Sequence, residues 1–184
     1  MFDVFVFGII DQVEIKPVFE DIEDTSRDEL IISDTKTRTG SNIPKIISSS
    51  VKFQLMLYKK LFDELAMGTI DDLRIFQALV LNPEIEFSDE LADIIKKSYI
   101  GKEIKEINLR NLMKVVIERF DKVWKTCNVL EVNYVFQEDG SDLGSQYFDY
   151  DENELEVYLK KIADYWEGMR EPVGVPIEEA WKCQ

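Results

Sequence analysis

The first forty residues alternate between short apolar runs and polar stretches, which is the pattern of β-strands and their connections. β-Forming side chains dominate residues 2–15, and Gly8 among them marks a bulge or a point of close approach. The acidic, polar residues 19–29 are typical of a solvated connection. The apolar residues that follow predict a second strand over 30–37.

The middle of the chain changes to helical spacing. A helix is predicted from about Lys45 to Leu65, because apolar side chains recur there every three or four residues. Its expected apolar face consists of Val51, Leu55, Tyr58, Phe62 and Leu65. Shorter helices are predicted over 70–81, 88–98 and 105–125, with Ser88 as the N-cap of the second.

The last third of the chain predicts a β-hairpin followed by a helix. Apolar and polar residues alternate over 129–137, Asp139-Gly140 is a turn signal, and Tyr147 lies in the returning strand. The segment 151–167 has helical spacing, and Gly168 is placed to end it. The expected apolar face of this helix consists of Leu155, Tyr158, Leu159, Ile162 and Trp166.

Composition narrows the possible chemistry. With 184 residues, 45% of them hydrophobic, the chain is expected to form one domain with a core. Its net charge of −15 argues against a basic domain that coats nucleic acid or a membrane. Histidine is absent, which excludes Ser-His-Asp hydrolysis and HExxH zinc sites, and no glycine-rich phosphate-binding motif occurs. Any chemistry must therefore use carboxylates, lysine, a metal or a cysteine-held cofactor.

The sequence carries no sign of export or membrane insertion. No apolar run approaches the roughly 20 residues of a transmembrane helix, and the N-terminus lacks the basic stretch of a signal peptide. Cys127 and Cys183 are the two cysteines, and so few are typical of a protein whose thiols stay reduced. We therefore expect an intracellular protein without a membrane partner.

Two acidic residues and a lysine lie in or beside the predicted strands. Asp11 follows the first apolar run, and Asp34 and Lys36 share a face of the second strand because strand side chains alternate. Two carboxylates and a lysine suit a hard cation such as Mg²⁺ and the hydrolysis of a phosphodiester. The alternative is a strand edge with solvated charges and an ordinary Asp–Lys pair, since the D-x-K pattern alone is weak.

The first helix carries a second polar group of residues. Gln54 and Tyr58 are four residues apart and share a face, and Lys59 and Lys60 follow them. An amide, a phenol and two cations in this order could line a nucleic-acid strand. The alternative is an amphipathic core helix whose lysines mark its solvated side.

The order of these segments resembles a known nuclease family. Residues 8–11 (GIID), 34–38 (DTKTR) and 54–59 (QLMLYK) resemble the PD-(D/E)XK nuclease core of the RecB type. The tail segments 165–171 (YWEGMRE) and 178–183 (EEAWKC) resemble the C-terminal signature of exonuclease V, a family of single-strand DNA exonucleases with a [4Fe-4S] cluster. The tail argues against another nuclease of the same fold, such as a restriction endonuclease.

The resemblance implies a fold and a set of roles. The implied fold is α/β, with a restriction-endonuclease-like core, a mixed central sheet flanked by helices, and a helical insertion at about 66–126 of a single domain, 1–184. Asp11 and Asp34 would bind Mg²⁺, and Lys36 would be the catalytic lysine beside these two catalytic acids. Arg38 as a phosphate contact is our own inference from the residues. The residues expected to support the site and the DNA are Arg38, Gln54 and Tyr58.

The resemblance also implies an iron–sulfur cluster that this sequence cannot complete. Cys183 corresponds to the first of the family's three C-terminal cluster cysteines, and a [4Fe-4S] cluster takes four thiolates. The family's upstream cysteine and upstream acid have no counterpart, and Cys127 matches no cluster ligand. The sequence is therefore expected to be a fragment that lacks the N-terminal part and the last cluster cysteines.

The expected function is Mg²⁺-dependent exonucleolytic hydrolysis of single-stranded DNA in repair and genome maintenance. We expect a monomer in the nucleus, with the mitochondrion or cytosol as the alternative. A locally basic groove on the acidic body would bind the DNA. Its expected cations are Lys36, Arg38, Lys45, Lys52, Lys59 and Lys60. The competing prediction is a catalytically inactive fragment or interaction module of the same family.

Overall fold

A computed structural model describes residues 8–19, 26–98, 104, 106–174, 177 and 180. These residues contain four strands and five helices and confirm the predicted α/β fold with a mixed sheet and a helical insertion. The elements are β1 (Gln12–Phe19), β2 (Ser26–Arg38), α1 (Ser49–Ala66), α2 (Asp72–Ala78), α3 (Asp89–Lys97), α4 (Leu109–Phe120), β3 (Val129–Phe136), β4 (Asp142–Asp149) and α5 (Glu152–Trp166).

The chain divides into two compact units. The whole sheet and helices α1 to α4 belong to the unit of residues 7–150, whereas α5 belongs to the other unit. The sheet order is β1-β2-β3-β4, with β2 parallel to β3 and the two outer pairs antiparallel. Parallel neighbours need a crossover connection. Residues 39–128 supply it and contain α1 and the helical insertion. Within the described part of the chain, no helix is long and apolar enough to cross a membrane.

Strand β2 exchanges one partner strand for the other in its middle. Its first half pairs with β1, and this pairing ends with Ser33 opposite Gln12. Its second half pairs with β3 on the other edge, and that pairing begins at the same Ser33. Beyond Ser33, the edge of β2 that faced β1 has no strand beside it among the described residues. Asp34 and Lys36 therefore follow the point where the sheet opens.

The core of this unit forms between β2 and α1. Leu30, Ile31 and Ile32 are buried, so both faces of β2 are covered at this level. On α1 the buried side chains are Leu55, Met56, Lys59, Phe62 and Ala66. Of the five residues of the predicted apolar face, Leu55 and Phe62 are buried, whereas Val51, Tyr58 and Leu65 are only half-buried. The helix also contacts α4, since the Phe62 ring packs edge-to-face on Phe120 with 5.7 Å between centroids.

The predicted boundaries of the first two strands were wrong. Residues 1–7 lie outside the described residues, 8–11 are not in a strand, and β1 begins at Gln12. The polar segment expected to be a solvated connection contributes to both strands, since Ser26 to Glu29 pair with Phe19 to Lys16. Hairpin hydrogen bonds satisfy the backbone at this edge, so polar side chains did not end the strands.

Local signals at element ends were more accurate. The Ser88 side chain accepts a hydrogen bond from Leu91 N and caps α3, as predicted. Gly140 and Gly168 have φ values of +73° and +71°, which confirms the predicted turn and helix end. Helix α4 is shorter than predicted because Asn108 caps it at its start. Trp166 was expected on the apolar face of α5 and is 70% exposed.

Candidate functional site

The predicted acid and lysine of β2 form an ion pair at the open edge of the sheet. Asp34 and Lys36 share a face, and Lys36 Nζ lies 2.7 Å from Asp34 Oδ2. The Asp34 side chain is 2% exposed, whereas that of Lys36 is 30% exposed. Oδ2 is buried and makes no directed hydrogen bond with a described residue, although the ammonium lies close to it. The carboxylate thus retains capacity for a further ligand.

Asp11, the residue just before β1, approaches the same place. The β1–β2 register, extended by one residue beyond Gln12 and Ser33, sets Asp11 opposite Asp34. Asp11 Oδ2 accepts a hydrogen bond of 3.2 Å from the backbone N–H of Thr35. This bond satisfies a backbone donor on the edge that β1 leaves uncovered. The two carboxylates are therefore brought to one end of the β1–β2 pairing.

Gln54 of α1 connects the groups of the site. Its Oε1 accepts a long hydrogen bond of 3.4 Å from Lys36 Nζ, and its Nε2 donates one of 3.4 Å to Asp34 Oδ1. The same Nε2 lies 3.1 Å from the Tyr58 hydroxyl, to which it donates. The i, i+4 spacing of Gln54 and Tyr58 on the helix makes this contact possible. The structure therefore brings four of the predicted site residues into one hydrogen-bonded group.

Gly8 allows this group to assemble. A Cβ atom added at Gly8 would overlap the Tyr58 ring, with Cε1 as its nearest neighbour. The sequence predicted a bulge or a close approach at this glycine, and the close approach is confirmed.

The electrostatics of Asp34 favour a second cation. Burial of the carboxyl raises the pKa of Asp34 above its ordinary value, the Lys36 ammonium opposes this increase, and the Asp11 carboxylate adds to it. A raised pKa means that the ionised form is held at a free-energy cost in the folded chain. Positive charge placed between the two carboxylates would remove that cost.

Comparison with known proteins identifies the family. Residues 10–184 match the family described as exonuclease V, a 5′ deoxyribonuclease. The chain belongs to the exonuclease V family. It is 30% identical over 181 residues to Exonuclease V of Danio rerio, an alignment that covers 97% of this chain and 45% of the relative. The chain therefore spans about half the length of the curated relative it matches. The family resemblance of the sequence is confirmed.

The donor set at the candidate site fits Mg²⁺. Asp11 and Asp34 supply hard carboxylate oxygens, and Mg²⁺ in proteins is usually held by one or two carboxylates together with several waters. Asp34 Oδ2, buried and without a directed hydrogen bond, is the specific observation that favours a cation here. The part of the chain that the structure describes contains no group of three or more acidic, histidine or cysteine side chains placed around one metal position.

The described residues do not fit an iron–sulfur cluster. Cys183 lies outside them, so its predicted role stays a prediction. Cys127 Sγ donates a hydrogen bond of 3.2 Å to Val129 O, and burial raises the pKa of this thiol. Cys127 is half-buried, and a thiol that is held protonated is a poor cluster ligand. We therefore derive no step through a cluster.

The predicted basic track is interrupted. Lys59 is 4% exposed, so the expectation that it joins a DNA-binding groove was wrong. Lys60 forms an i, i+4 pair with Glu64. The Arg38 guanidinium stacks over the Tyr134 ring, 5.0 Å from its centroid, on the face of β2 that also carries Lys36. The predicted phosphate contact of Arg38 stays a prediction.

Sequence reasoning missed the network that Lys59 makes. Its Nζ donates to Asp63 Oδ2, Thr126 O and Thr126 Oγ1 at 2.8 to 3.0 Å. Asp63 Oδ1 in turn accepts from Thr126 N and Oγ1. These hydrogen bonds connect α1 to the segment that leads into β3. The i, i+4 spacing of Lys59 and Asp63 was the only signal in the sequence, and Thr126 is too distant along the chain to be recognised.

Proposed function

We propose that this chain carries the nuclease centre of a Mg²⁺-dependent 5′ exodeoxyribonuclease that acts on single-stranded DNA ends. The observation that carries the proposal is the group of Asp34, Lys36 and Gln54 beside Asp11, in a family described as a 5′ deoxyribonuclease. A role in DNA repair, the monomeric state and the nuclear location belong to the same proposal.

The two acids are the metal-binding residues of this proposal. Asp11 and Asp34 would hold Mg²⁺ between β1 and β2. A bound Mg²⁺ supplies Lewis-acid neutralisation of the phosphodiester charge and activation of a water molecule. The carboxylates orient this chemistry at the open edge of the sheet, where no described strand blocks access to the substrate.

Lys36 stabilises the negative charge that develops on the phosphate. Its side chain is 30% exposed and lies at the rim of the site, so a phosphate oxygen can reach it. An ammonium that is already positioned costs little reorganisation when the charge appears. Asp34 and Gln54 hold Nζ on this side of the strand until the substrate arrives.

Gln54 and Tyr58 act by positioning. The Gln54 amide binds Lys36 through its oxygen and Asp34 through its nitrogen, and the Tyr58 hydroxyl limits the rotation of that amide. Displacing either group would shift the lysine and the carboxylate together. We expect removal of either side chain to reduce turnover more than DNA affinity.

The test is hydrolysis of 5′- and 3′-labelled oligodeoxynucleotides by the purified full-length protein. We expect release of short products from the 5′ end of linear single strands in Mg²⁺, none in EDTA, and none from circular single strands. Asp34→Ala and Lys36→Ala should each reduce the rate at least about 100-fold. Glu138→Ala removes an exposed carboxylate in the β3–β4 turn and should leave the rate unchanged.

Three results would overturn the proposal or part of it. Wild-type rates in Asp34→Ala would show that this site is not the nuclease centre. Hydrolysis that persists without Mg²⁺ would overturn the metal-binding roles of Asp11 and Asp34. Absence of hydrolysis by the folded wild-type protein would support the inactive module, the competing prediction from the sequence.

A further inference from the structure

A row of polar side chains crosses the sheet on the face opposite to Asp34. Each of the four strands contributes one residue, and the four share this face because strand side chains alternate. The row consists of Gln12, Ser33, Glu131 and Tyr147. Glu131 is 2% exposed, and a carboxylate so deeply buried is costly unless it is paired. The partners of Glu131 therefore matter to the architecture of the sheet.

Glu131 connects the central strand β3 to both outer strands. Its Oε1 accepts a hydrogen bond of 2.9 Å from the Tyr147 hydroxyl of β4, and its Oε2 pairs with Lys16 Nζ of β1. Strands β1 and β3 are two strand spacings apart, or about 10 Å. A lysine and a glutamate are together long enough to meet over β2. The Lys16–Glu131 pair thus connects the edge strand β1 to the centre of the sheet.

The polar contacts continue along β1 towards Asp11. Lys16 Nζ also pairs with Glu14 Oε2 at 3.1 Å, and Glu14 Oε1 accepts a hydrogen bond from the Gln12 amide. The three side chains lie on one face of β1, because they are spaced two residues apart. The series ends at Gln12, which directly follows Asp11 in the chain.

Burial of apolar side chains contributes little to the attachment of β1. Val13 and Ile15 point away from the polar row and are 36% and 62% exposed. An edge strand also has ladder hydrogen bonds on one side only, and β1 pairs only with β2. Among the described contacts, the backbone pairing with β2 and the polar side-chain series are those that hold β1 in place.

The position of β1 decides where Asp11 lies. Of the two proposed metal ligands, Asp34 is on β2 and Asp11 is just before β1. A single hydrogen bond of 3.2 Å, from Thr35 N to Asp11 Oδ2, joins Asp11 to β2. Mg²⁺ requires near-ideal octahedral geometry with ligand distances of about 2.0–2.1 Å. A small displacement of β1 would therefore spoil the separation of the two carboxylates for the metal.

We propose that the Lys16–Glu131 ion pair is a positioning element of the metal site, which holds β1 so that Asp11 stays opposite Asp34. Neither residue of the pair contacts the metal or the substrate, since both lie on the other face of the sheet. Groups that orient metal ligands in this indirect way commonly contribute about 10- to 100-fold to metal affinity. The inference rests on the proposed function and adds the residues that fix the separation of the two acids.

The test is Mn²⁺ binding to the full-length protein without DNA, followed by electron paramagnetic resonance of the free ion. Mn²⁺ replaces Mg²⁺ because both ions prefer oxygen ligands in octahedral geometry. The relevant site is the one that Asp34→Ala abolishes. Lys16→Met should weaken binding there about 10- to 100-fold. Lys16→Arg, which keeps a cation able to reach Glu131, should restore most of the affinity.

A double variant distinguishes positioning from stability. Lys16→Met leaves the Glu131 charge buried without its cation, so it should also lower the free energy of unfolding. Replacing both partners of a buried ion pair by apolar residues is often neutral or stabilising. Lys16→Met combined with Glu131→Leu should therefore recover stability, whereas its Mn²⁺ affinity should stay weak because no ion pair then connects β1 to β3. The double variant also replaces Lys16→Met in the binding test if that protein does not fold.

Arg110→Met is the matched control. The Arg110 side chain is 31% exposed, as is that of Lys16, and it pairs with Glu84 in the helical insertion. Its removal should leave Mn²⁺ binding unchanged.

Two results would overturn the inference and leave the proposed function standing. One is wild-type Mn²⁺ affinity in Lys16→Met, and the other is a double variant that recovers affinity together with stability. Absence of an Asp34-dependent Mn²⁺ site in the folded wild-type protein would instead overturn the metal-binding roles in the proposed function, and the inference with them.

Discussion

Lys36→Met tests the electrostatics of the site most directly. The substitution keeps an aliphatic stem and removes the cation that lies 2.7 Å from Asp34 Oδ2. The Asp34 side chain is 2% exposed, so its charge would be left buried with only the long contact from Gln54. The folded state therefore loses stability whether or not the protein is active.

The size of the loss follows from the burial of the two partners. Removing one partner of a buried ion pair costs about 3–5 kcal/mol, whereas an exposed pair contributes about 0–1 kcal/mol. The Lys36 side chain is 30% exposed, so water reaches the space that it leaves and reduces the penalty. We expect Lys36→Met to lower the free energy of unfolding by about 2–3 kcal/mol at neutral pH in EDTA.

The assay is urea unfolding, followed by tryptophan fluorescence, of the wild type, both single variants and the double variant. Asp34→Asn removes the unpaired charge, so the double variant should regain about 1–2 kcal/mol over Lys36→Met. Added Mg²⁺ should stabilise Lys36→Met and leave the double variant unchanged, because Asp34 is a proposed ligand. Lys122→Met, which removes an exposed lysine, is the control and should change stability by less than about 0.5 kcal/mol.

Two results would refute this reasoning. If Lys36→Met unfolds with the wild-type free energy, the Asp34 charge does not depend on the lysine. If Asp34→Asn does not raise the free energy of unfolding of Lys36→Met, the loss arises from packing and not from an unpaired charge.

Two further predictions concern Gly8 beside the site and Tyr147 on the edge strand β4. Gly8→Ala should reduce nuclease turnover about 10- to 100-fold by displacing the Tyr58 ring. The control Gly40→Ala, which has open space at its Cβ, should keep the wild-type turnover. Equal turnover in the two variants would contradict the close approach of Gly8 and Tyr58. The hydrogen bond to Glu131 raises the pKa of the Tyr147 phenol, so the folded chain holds that proton more tightly than the unfolded chain. Stability should therefore fall as pH rises above about 10, and more shallowly in Tyr147→Phe when thermal unfolding is measured from pH 9 to 11; parallel curves would contradict this assignment.

Much of the candidate site could be predicted because it rests on local periodicity. Strand alternation sets Asp34 and Lys36 on one face, and helical spacing sets Gln54 and Tyr58 on another. What the pattern could not supply is the distance between those faces. The register of β1 with β2, and the contact of α1 with β2, bring Asp11 and Gln54 to the pair.

The missed features depend on neighbours that are distant along the chain. Lys59 directly follows Tyr58 on α1 and was expected in solvent. It is buried because Asp63 and Thr126 satisfy its ammonium, and Thr126 is 67 residues further along the chain, at the far end of the helical insertion. The hydrogen bond between Glu131 and Tyr147 was missed for the same reason, because it joins two residues that are neighbours only through the pairing of β3 with β4.

The sequence by itself determined the fold class and the family, because residue type and short-range spacing can be read directly along the chain. Only the tertiary structure decided which charges are buried, which remain available and where the sheet opens. The physical reason is that burial and ion pairing depend on distances between segments. The sequence does not distinguish Lys59, whose ammonium is buried and bonded to Thr126, from Lys45, which lines an open cleft.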